Sequence, residues 1–401
     1  MGFRVLAAAM VVMTAAANYH NPEPQAPQRP QVSTSPAAGE DGVRRGMHDN
    51  ARLVNGLLAA TRRAQSAPVV VTGRRYSEQG AFARDEIRAE AFRVSLTPGE
   101  QLRVALPRVA PGPDSLRVKL YRAAKDGWQQ LEELDPSTGV AAITAQKAQD
   151  YLVLLHPEVA ETVSYQLEIS RGGSLLFPVA GAGLDRIWSY FGDRRGGGTR
   201  LHEGVDVFMD RGAPVHAVTS GYVRTDQTLH GGNVVWLMKP GSAMKYYYAH
   251  LDTIAVPDRV WVEAGRLLGT VGNTGNARNT PSHLHFGIYH AGHGAVDPLP
   301  FLQPAPAAGF LMADLLDRNP PVPGPREVIV DQLRLRAAPS RKANLIDTLP
   351  DGSVVQVVAA TAGPWKRVHL GDGRSGFVHR DWLAPANANA TLAHNARGLR
   401  E

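Results

Sequence analysis

Cysteine is absent from all 401 residues. That removes a disulfide framework, a thiol for lipid attachment and every Cys-type zinc finger, so any metal ligand must come from His, Asp or Glu. Long apolar runs are also missing. The strongest, Val5 to Met13 with its flanks, covers roughly 13 residues, against the roughly 20 a membrane-spanning helix needs. With Arg4 before it and Ala15-Ala-Ala17 after it, residues 1–17 read as a signal peptide, which implies export to the periplasm or cell envelope and no stable membrane insertion after cleavage. Nor is there a dense block of one charge sign. The net charge is +6 and the pI about 9.6, spread over scattered Arg and Lys. A basic exported protein is drawn to anionic polymers such as the bacterial wall. No helix-turn-helix or aromatic-plus-basic motif accompanies the charge, so nucleic acid is not a partner on this reading.

Composition divides what remains. Residues 18–46 are proline-rich and polar, with no aliphatic cluster, and read as an extended linker. Leu53, Val54, Leu57 and Leu58 have helical spacing, which predicts an amphipathic packing helix over 47–66. From 68 to 178 the pattern becomes short alternating strands. Phe92 to Leu106, centred on Thr97-Pro-Gly-Glu100, reads as a hairpin. Leu116 to Tyr121, Tyr151 to Leu155 and Tyr165 to Ile169 add strands, giving a small β-sandwich. A further β-rich unit over 184–303 holds eight of the 14 histidines, a concentration that predicts one site. A Pro/Ala-rich linker over 304–324 separates it from 325–386, and 387–401 read as a tail. The chain is expected to be mostly β.

Five side chains dominate the histidine-rich unit: His202 and Asp206, His250, and His283 and His285. Leu284 and Phe286 alternate with His283 and His285, and residues two apart in a strand share a face, so both imidazoles can reach one centre. His202 and Asp206 are four apart, and Val205 and Val207 favour a strand that points Asp206 away from the core. Three ligands with two spare imidazoles suit metal-dependent hydrolysis, which needs an open metal position and groups that move protons. Glu203 follows a metal-type His but has no His-Glu-x-x-His helix around it, and reads as a turn residue. His216, His230, His290 and His293 read as local hydrogen-bonding or solvent-facing groups.

The order of motifs then carries a resemblance. Ser189-Tyr-Phe-Gly-Asp-Arg194, His202-x-x-x-Asp206, Tyr248-Ala-His-Leu251, Val262 to Gly269 with Gly272-Asn-Thr-Gly275, and Ser282-His-Leu-His-Phe286 resemble the lysostaphin-like (LytM-type) peptidoglycan zinc metallopeptidases. The resemblance spans Ser189 to Phe301 and implies an antiparallel β-sheet metallopeptidase domain. It implies that His202, Asp206 and His285 hold Zn2+, that His250 and His283 are catalytic, and that Tyr248, Asn233 and Arg194 line the substrate groove. The glycine-rich segment 194–200 and the loop 239–244 depart from the family pattern where they would border that groove. Leu333-Arg-Leu-Arg-Ala-Ala-Pro-Ser340, the Asp351-Gly352 turn, Trp365-Lys-Arg-Val368 and Gly376-Phe-Val378 resemble a bacterial Src-homology-3-like domain. That implies a small wall-binding β-barrel, whose removal is expected to weaken wall attachment and spare cleavage of small peptides.

The expectation is an exported zinc endopeptidase acting on peptidoglycan. The alternative is a non-catalytic wall-binding activator of a peptidoglycan amidase, since some family members have lost metal ligands. All five key positions are intact here, which favours the enzyme. A third reading makes the chain a wall-binding adaptor with a structural metal, though structural zinc sites are closed by four protein ligands.

Overall fold

Phe92, Val94 and Leu96 recur at every second position, and so do Leu102, Val104 and Leu106. All six are buried in one cluster. They do not form a hairpin. In this computed structural model, which describes residues 54–84, 87–158, 161–304 and 323–386, the strand Glu90–Leu96 pairs with Gln149–Pro157, whereas Glu100–Ala110 pairs with Val163–Gly173 and Val140–Thr144. The turn, with Gly99 at φ 86°, therefore carries the chain from one sheet to the other. Alternation fixes which face is apolar, and strands that face each other across a core show the same alternation as strands that pair side by side.

One sandwich sheet runs Val69–Val70, Glu90–Leu96, Gln149–Pro157, Leu116–Ala124, Gly127–Glu133, and the other contains Arg75–Phe82, Val163–Gly173, Glu100–Ala110 and Val140–Thr144. The helix covers 54–66 among the described residues. Its packing face differs from the spacing-based expectation. Val54 and Leu58 are exposed, and Ala60 with Ala64 lies against Ala89, Ala91, Leu152 and Leu154. Small side chains one turn apart let the helix sit close to the sheet. Residues 1–17, the 18–46 linker, helix positions 47–53, most of the 304–324 linker and the 387–401 tail lie outside the described residues.

The second unit is built on an antiparallel sheet in the order Ile187–Ser189, Val205–Phe208, His283–His290, Met244–Leu251, Gly232–Met238, Gly221–Thr228, Trp261–Val262, with Gly294–Val296 on the His283–His290 strand. Val205, Val207, Leu284, Phe286, Ile288, Tyr246, Tyr248, Val235 and Leu237 form the core on one face. By the strand period of two, Asp206, His283, His285, Tyr247 and Trp236 belong to the other face. Pro214–His216, Leu267–Thr270 and Thr253–Ile254 form a small second sheet.

This unit is joined to the sandwich by backbone bonds. Ser174 N–H donates to Gly99 O at 3.1 Å and Leu175 N–H to Phe301 O at 3.0 Å. The last unit winds Gly324–Val328, Leu333–Arg336, Leu345–Leu349, Val354–Thr361, Trp365–His369, Ser375–His379 and Leu383–Pro385 around Val328, Leu335, Val355, Val368 and Val378. Its strand ladder is not closed into a ring among the described residues. It is also not separate: Val354–Thr361 pairs with the sandwich strand Arg75–Phe82. No helix among the described residues is long and apolar enough to cross a membrane.

Candidate metal centre

Strand register brings the three candidate ligands together. Asp206 lies opposite His285, and His285 lies opposite Ala249, whose small side chain leaves the neighbouring space open. His202 enters from the segment before Val205–Phe208 and is held by reciprocal backbone bonds: its N–H donates to Asp193 O, and Gly192 N–H donates to its own carbonyl, both at 2.8 Å. His202 Nε2 is 3.1 Å from Asp206 Oδ1 and 2.9 Å from His285 Nδ1, which is itself 3.0 Å from Asp206 Oδ1. His202 Nδ1 sits 2.9 Å from Tyr190 O. A carbonyl only accepts, so this contact uses Nδ1–H and turns Nε2 towards the cluster, with Ser189 Oγ and Arg195 Nη2 also near Nδ1 at 3.1 and 3.2 Å.

Two imidazole nitrogens and one carboxylate oxygen converging on one partly dry point fit a divalent cation of the zinc type. Burial would raise the Asp206 carboxyl, yet hydrogen bonds and charge from His202 and His285 outweigh it and hold the group well below the usual carboxylate range. Burial, first of all, pushes His285 down, against the pull of Asp206. Both groups are thus in the deprotonated form that metal binding requires.

The remaining imidazoles stand beside this cluster. His250 Nδ1 is 2.9 Å from Thr274 O, and His283 Nδ1 is 2.9 Å from Pro281 O. By the same carbonyl argument each Nδ1 donates to its carbonyl, and each Nε2 is left outside that bond. The two rings lie 5.1 Å apart between centroids, and His250 lies 6.0 Å from His285. His283 stacks on Phe208 at 5.0 Å, and Phe208 on Trp188 at 5.1 Å, an aromatic wall that fixes the ring plane. His250 has φ 62°, a left-handed backbone rare outside glycine and found where surrounding structure over-determines it. Burial, then the neighbouring His283 and His285, lowers its pKa to about 4, so it is neutral near pH 7.

The three residues expected to line the groove are placed differently. Tyr248 is 0% exposed and belongs to the core, and its hydroxyl accepts from Val218 N–H at 2.9 Å. It has no surface to offer a substrate. Asn233 donates to Leu251 O and Asp252 O at 3.1 and 3.0 Å and accepts from Gln227 Nε2 at 2.8 Å, tying strand ends together. Arg194 is exposed on the short strand Arg194–Arg195. Its neighbour Arg195 is the one that reaches the site, donating to Asp206 Oδ2 at 2.7 Å and also to Ser189 Oγ. Tyr247, adjacent to the expected Tyr248, lies edge-on to His285 at 6.0 Å. Strand parity in Tyr246-Tyr-Tyr248 could have singled out Tyr247, whereas nothing in the glycine-rich segment distinguished Arg195 from Arg194. Glu203 hydrogen-bonds Tyr289.

Residues 200–298 match the model of peptidase family M23, and residues 331–384 match the bacterial SH3 domain. Lysostaphin from Staphylococcus simulans is 36% identical over 110 residues, covering 26% of this chain and 22% of the relative. An L-Ala–D-Glu endopeptidase from Bacillus subtilis is 33% identical over 126 residues, covering 29% and 39%. The murein hydrolase activator NlpD from Salmonella typhimurium is 32% identical over 119 residues, covering 29% of each. The matched segment therefore spans less than half the length of these relatives. The solved catalytic domain of lysostaphin from Staphylococcus simulans is 34% identical, covers 28% of this chain and 87% of that one, and superposes with a TM-score of 0.26. The chain thus carries a peptidase family M23 domain over residues 200–298, followed by a bacterial SH3 domain over residues 331–384.

Proposed function

We propose that this protein is an exported zinc endopeptidase that hydrolyses peptide bonds of bacterial peptidoglycan. The observation that carries the reading is the division of five side chains into two sets. His202, Asp206 and His285 turn three lone pairs to one point, while His250 and His283 are each held through Nδ1 with Nε2 free. A fourth protein ligand is absent from the group formed by the described residues, the arrangement of a catalytic rather than a closed structural zinc site.

In this reading His202, His285 and Asp206 would hold the ion, and Arg195 keeps the second Asp206 oxygen occupied. Zinc held there would supply Lewis acidity towards a water and the scissile carbonyl. His250 and His283 handle the protons: an Nε2 that accepts the proton of the attacking water becomes an imidazolium, which can then give that proton to the leaving amine. Their carbonyl anchors hold Nδ1 and leave Nε2 to face the reaction. The bacterial SH3 domain and the relatives' wall enzymes support peptidoglycan as substrate.

The similarity to a murein hydrolase activator keeps one competing reading, in which the chain stimulates an amidase and cuts nothing itself. Purified wall sacs incubated with zinc-loaded protein separate the two. The endopeptidase reading expects new amine termini from the protein alone and none after chelation. Release only when an amidase is added would contradict it and favour the activator.

A further inference from the structure

Three observations join the SH3 domain to the sandwich. The strand Val354–Thr361 pairs antiparallel with Arg75–Phe82, with Glu78 opposite Thr361, Gln79 opposite Ala360 and Gly80 opposite Ala359, so one eleven-stranded sheet runs through both units. On the next SH3 strand, Arg367 is 0% exposed. Its Nε and Nη2 donate to the two oxygens of Glu78 at 2.8 Å each, its Nη1 donates to Glu90, and its guanidinium lies 5.4 Å over the Phe92 ring. Phe377 of the SH3 domain is buried in the sandwich core, edge-on to Tyr76 at 6.3 Å.

Each half is incomplete without the other. Glu78 is fully buried, and apart from the hydroxyls of Tyr76 and Tyr165, at 2.5 and 2.8 Å, its carboxylate is met by Arg367. A buried carboxylate deprived of its cation is strongly unfavourable. The Arg75–Phe82 strand would be left with an open edge of the kind that invites aggregation. The SH3 domain, for its part, would expose Arg367 and Phe377.

We propose that the open edge of Arg75–Phe82, with Glu78 and Glu90 behind it, is a docking surface whose occupant is the chain's own SH3 domain, and that the two units fold and move as one body. The SH3 domain is then a structural complement of the sandwich, not a module swinging on the 304–324 linker. Any wall contact it makes must use surfaces other than the Ala359–Thr361 edge, Arg367 and Phe377. Its removal, expected from the sequence to weaken wall attachment and spare cleavage of small peptides, would also strip the sandwich of a core side chain and a buried counter-charge.

The test uses the full chain with one protease recognition sequence inserted between residues 304 and 323. After complete cleavage at micromolar concentration, the two fragments are expected to co-elute in gel filtration, in low and in high salt, because a buried pair is little screened. Separate elution of the SH3 fragment would overturn the proposal. Arg367→Ala in the same cleaved protein should release the fragment. Hydrogen exchange of the uncut, unsubstituted protein gives an independent reading. The amides across the Glu78–Gly80 and Ala359–Thr361 pairing should exchange as slowly as the sandwich core, and fast exchange confined to that seam would also overturn it.

Discussion

Asp206 and His285 face each other in register on adjacent antiparallel strands, with Oδ1 and Nδ1 3.0 Å apart. A cross-strand pair is among the stiffest ways to hold two ligands, since both backbones are fixed by the same ladder. His202 completes the set from a loop that two backbone bonds tie down. The proposed division into ligands and proton carriers rests on convergence: donor atoms of His202, Asp206 and His285 all lie within 4.8 Å of one another, and His250 and His283 are not part of that group.

That assignment predicts two classes of variant. His202→Ala and Asp206→Ala should purify without zinc. His250→Ala and His283→Ala should retain it and lose about 10²–10⁴-fold in turnover, the range for removing a general acid or base. Metal analysis with peptide-release assays checks both, and a zinc-free His283→Ala protein would reverse the ligand assignment.

Arg195 should matter through Asp206. Its Nη2 holds the carboxylate oxygen that does not face the histidines, so Arg195→Ala is expected to weaken zinc affinity by about 10–100-fold, as loss of an outer partner does. Competition with a chromophoric chelator measures it. Unchanged affinity would reduce Arg195 to a surface contact.

Tyr248→Phe leaves Val218 N–H without its acceptor in a dry core. A destabilisation of about 1–3 kcal/mol is expected, with KM for a soluble peptide unchanged, measured by chemical denaturation and steady-state kinetics. A raised KM at unaltered stability would restore Tyr248 to the groove.

Much of this site was legible in the sequence because strand parity is a rigid rule. His283 and His285 share a face, and Asp206 opposes the core valines on either side of it. Parity also explains where motif reading went astray. Tyr248 and His250 are two apart and should share a face, yet Tyr248 is in the core while His250 stands at the site. The left-handed backbone at His250 and the irregular register between Asn233 and Val235 break the alternation, and neither is visible in residue types. The Phe92–Leu106 segment failed differently: its alternation was read correctly, but pairing partners are set by distant strands. Arg367, one arginine among many, carried no mark of burial.

Acid should expose that buried cluster. Burial would raise the Glu90 carboxyl, but Arg367 and then Arg88 overcome it, so its folded pKa lies well below the ordinary 4.5. A depressed carboxyl contributes stability that is complete above the unfolded value and is lost as pH falls from there towards the folded pKa. Thermal melts should therefore weaken below about pH 4.5, and Glu90→Gln should flatten that loss. Arg367→Met, removing one partner from a fully buried pair, should cost about 3–5 kcal/mol near neutral pH. An unchanged melting temperature for Arg367→Met would argue that the cluster is not buried in solution.

The central claim is a zinc-dependent cut at a peptide bond of peptidoglycan. Mass spectrometry of defined muropeptides after incubation with zinc-loaded protein tests it most directly. The account predicts fragments separated at a peptide bond, produced by the native protein, abolished by chelation and by His250→Ala, and restored by zinc to the chelated sample only. Intact muropeptides after incubation with fully metallated protein, or equal cleavage with and without chelator, would contradict it.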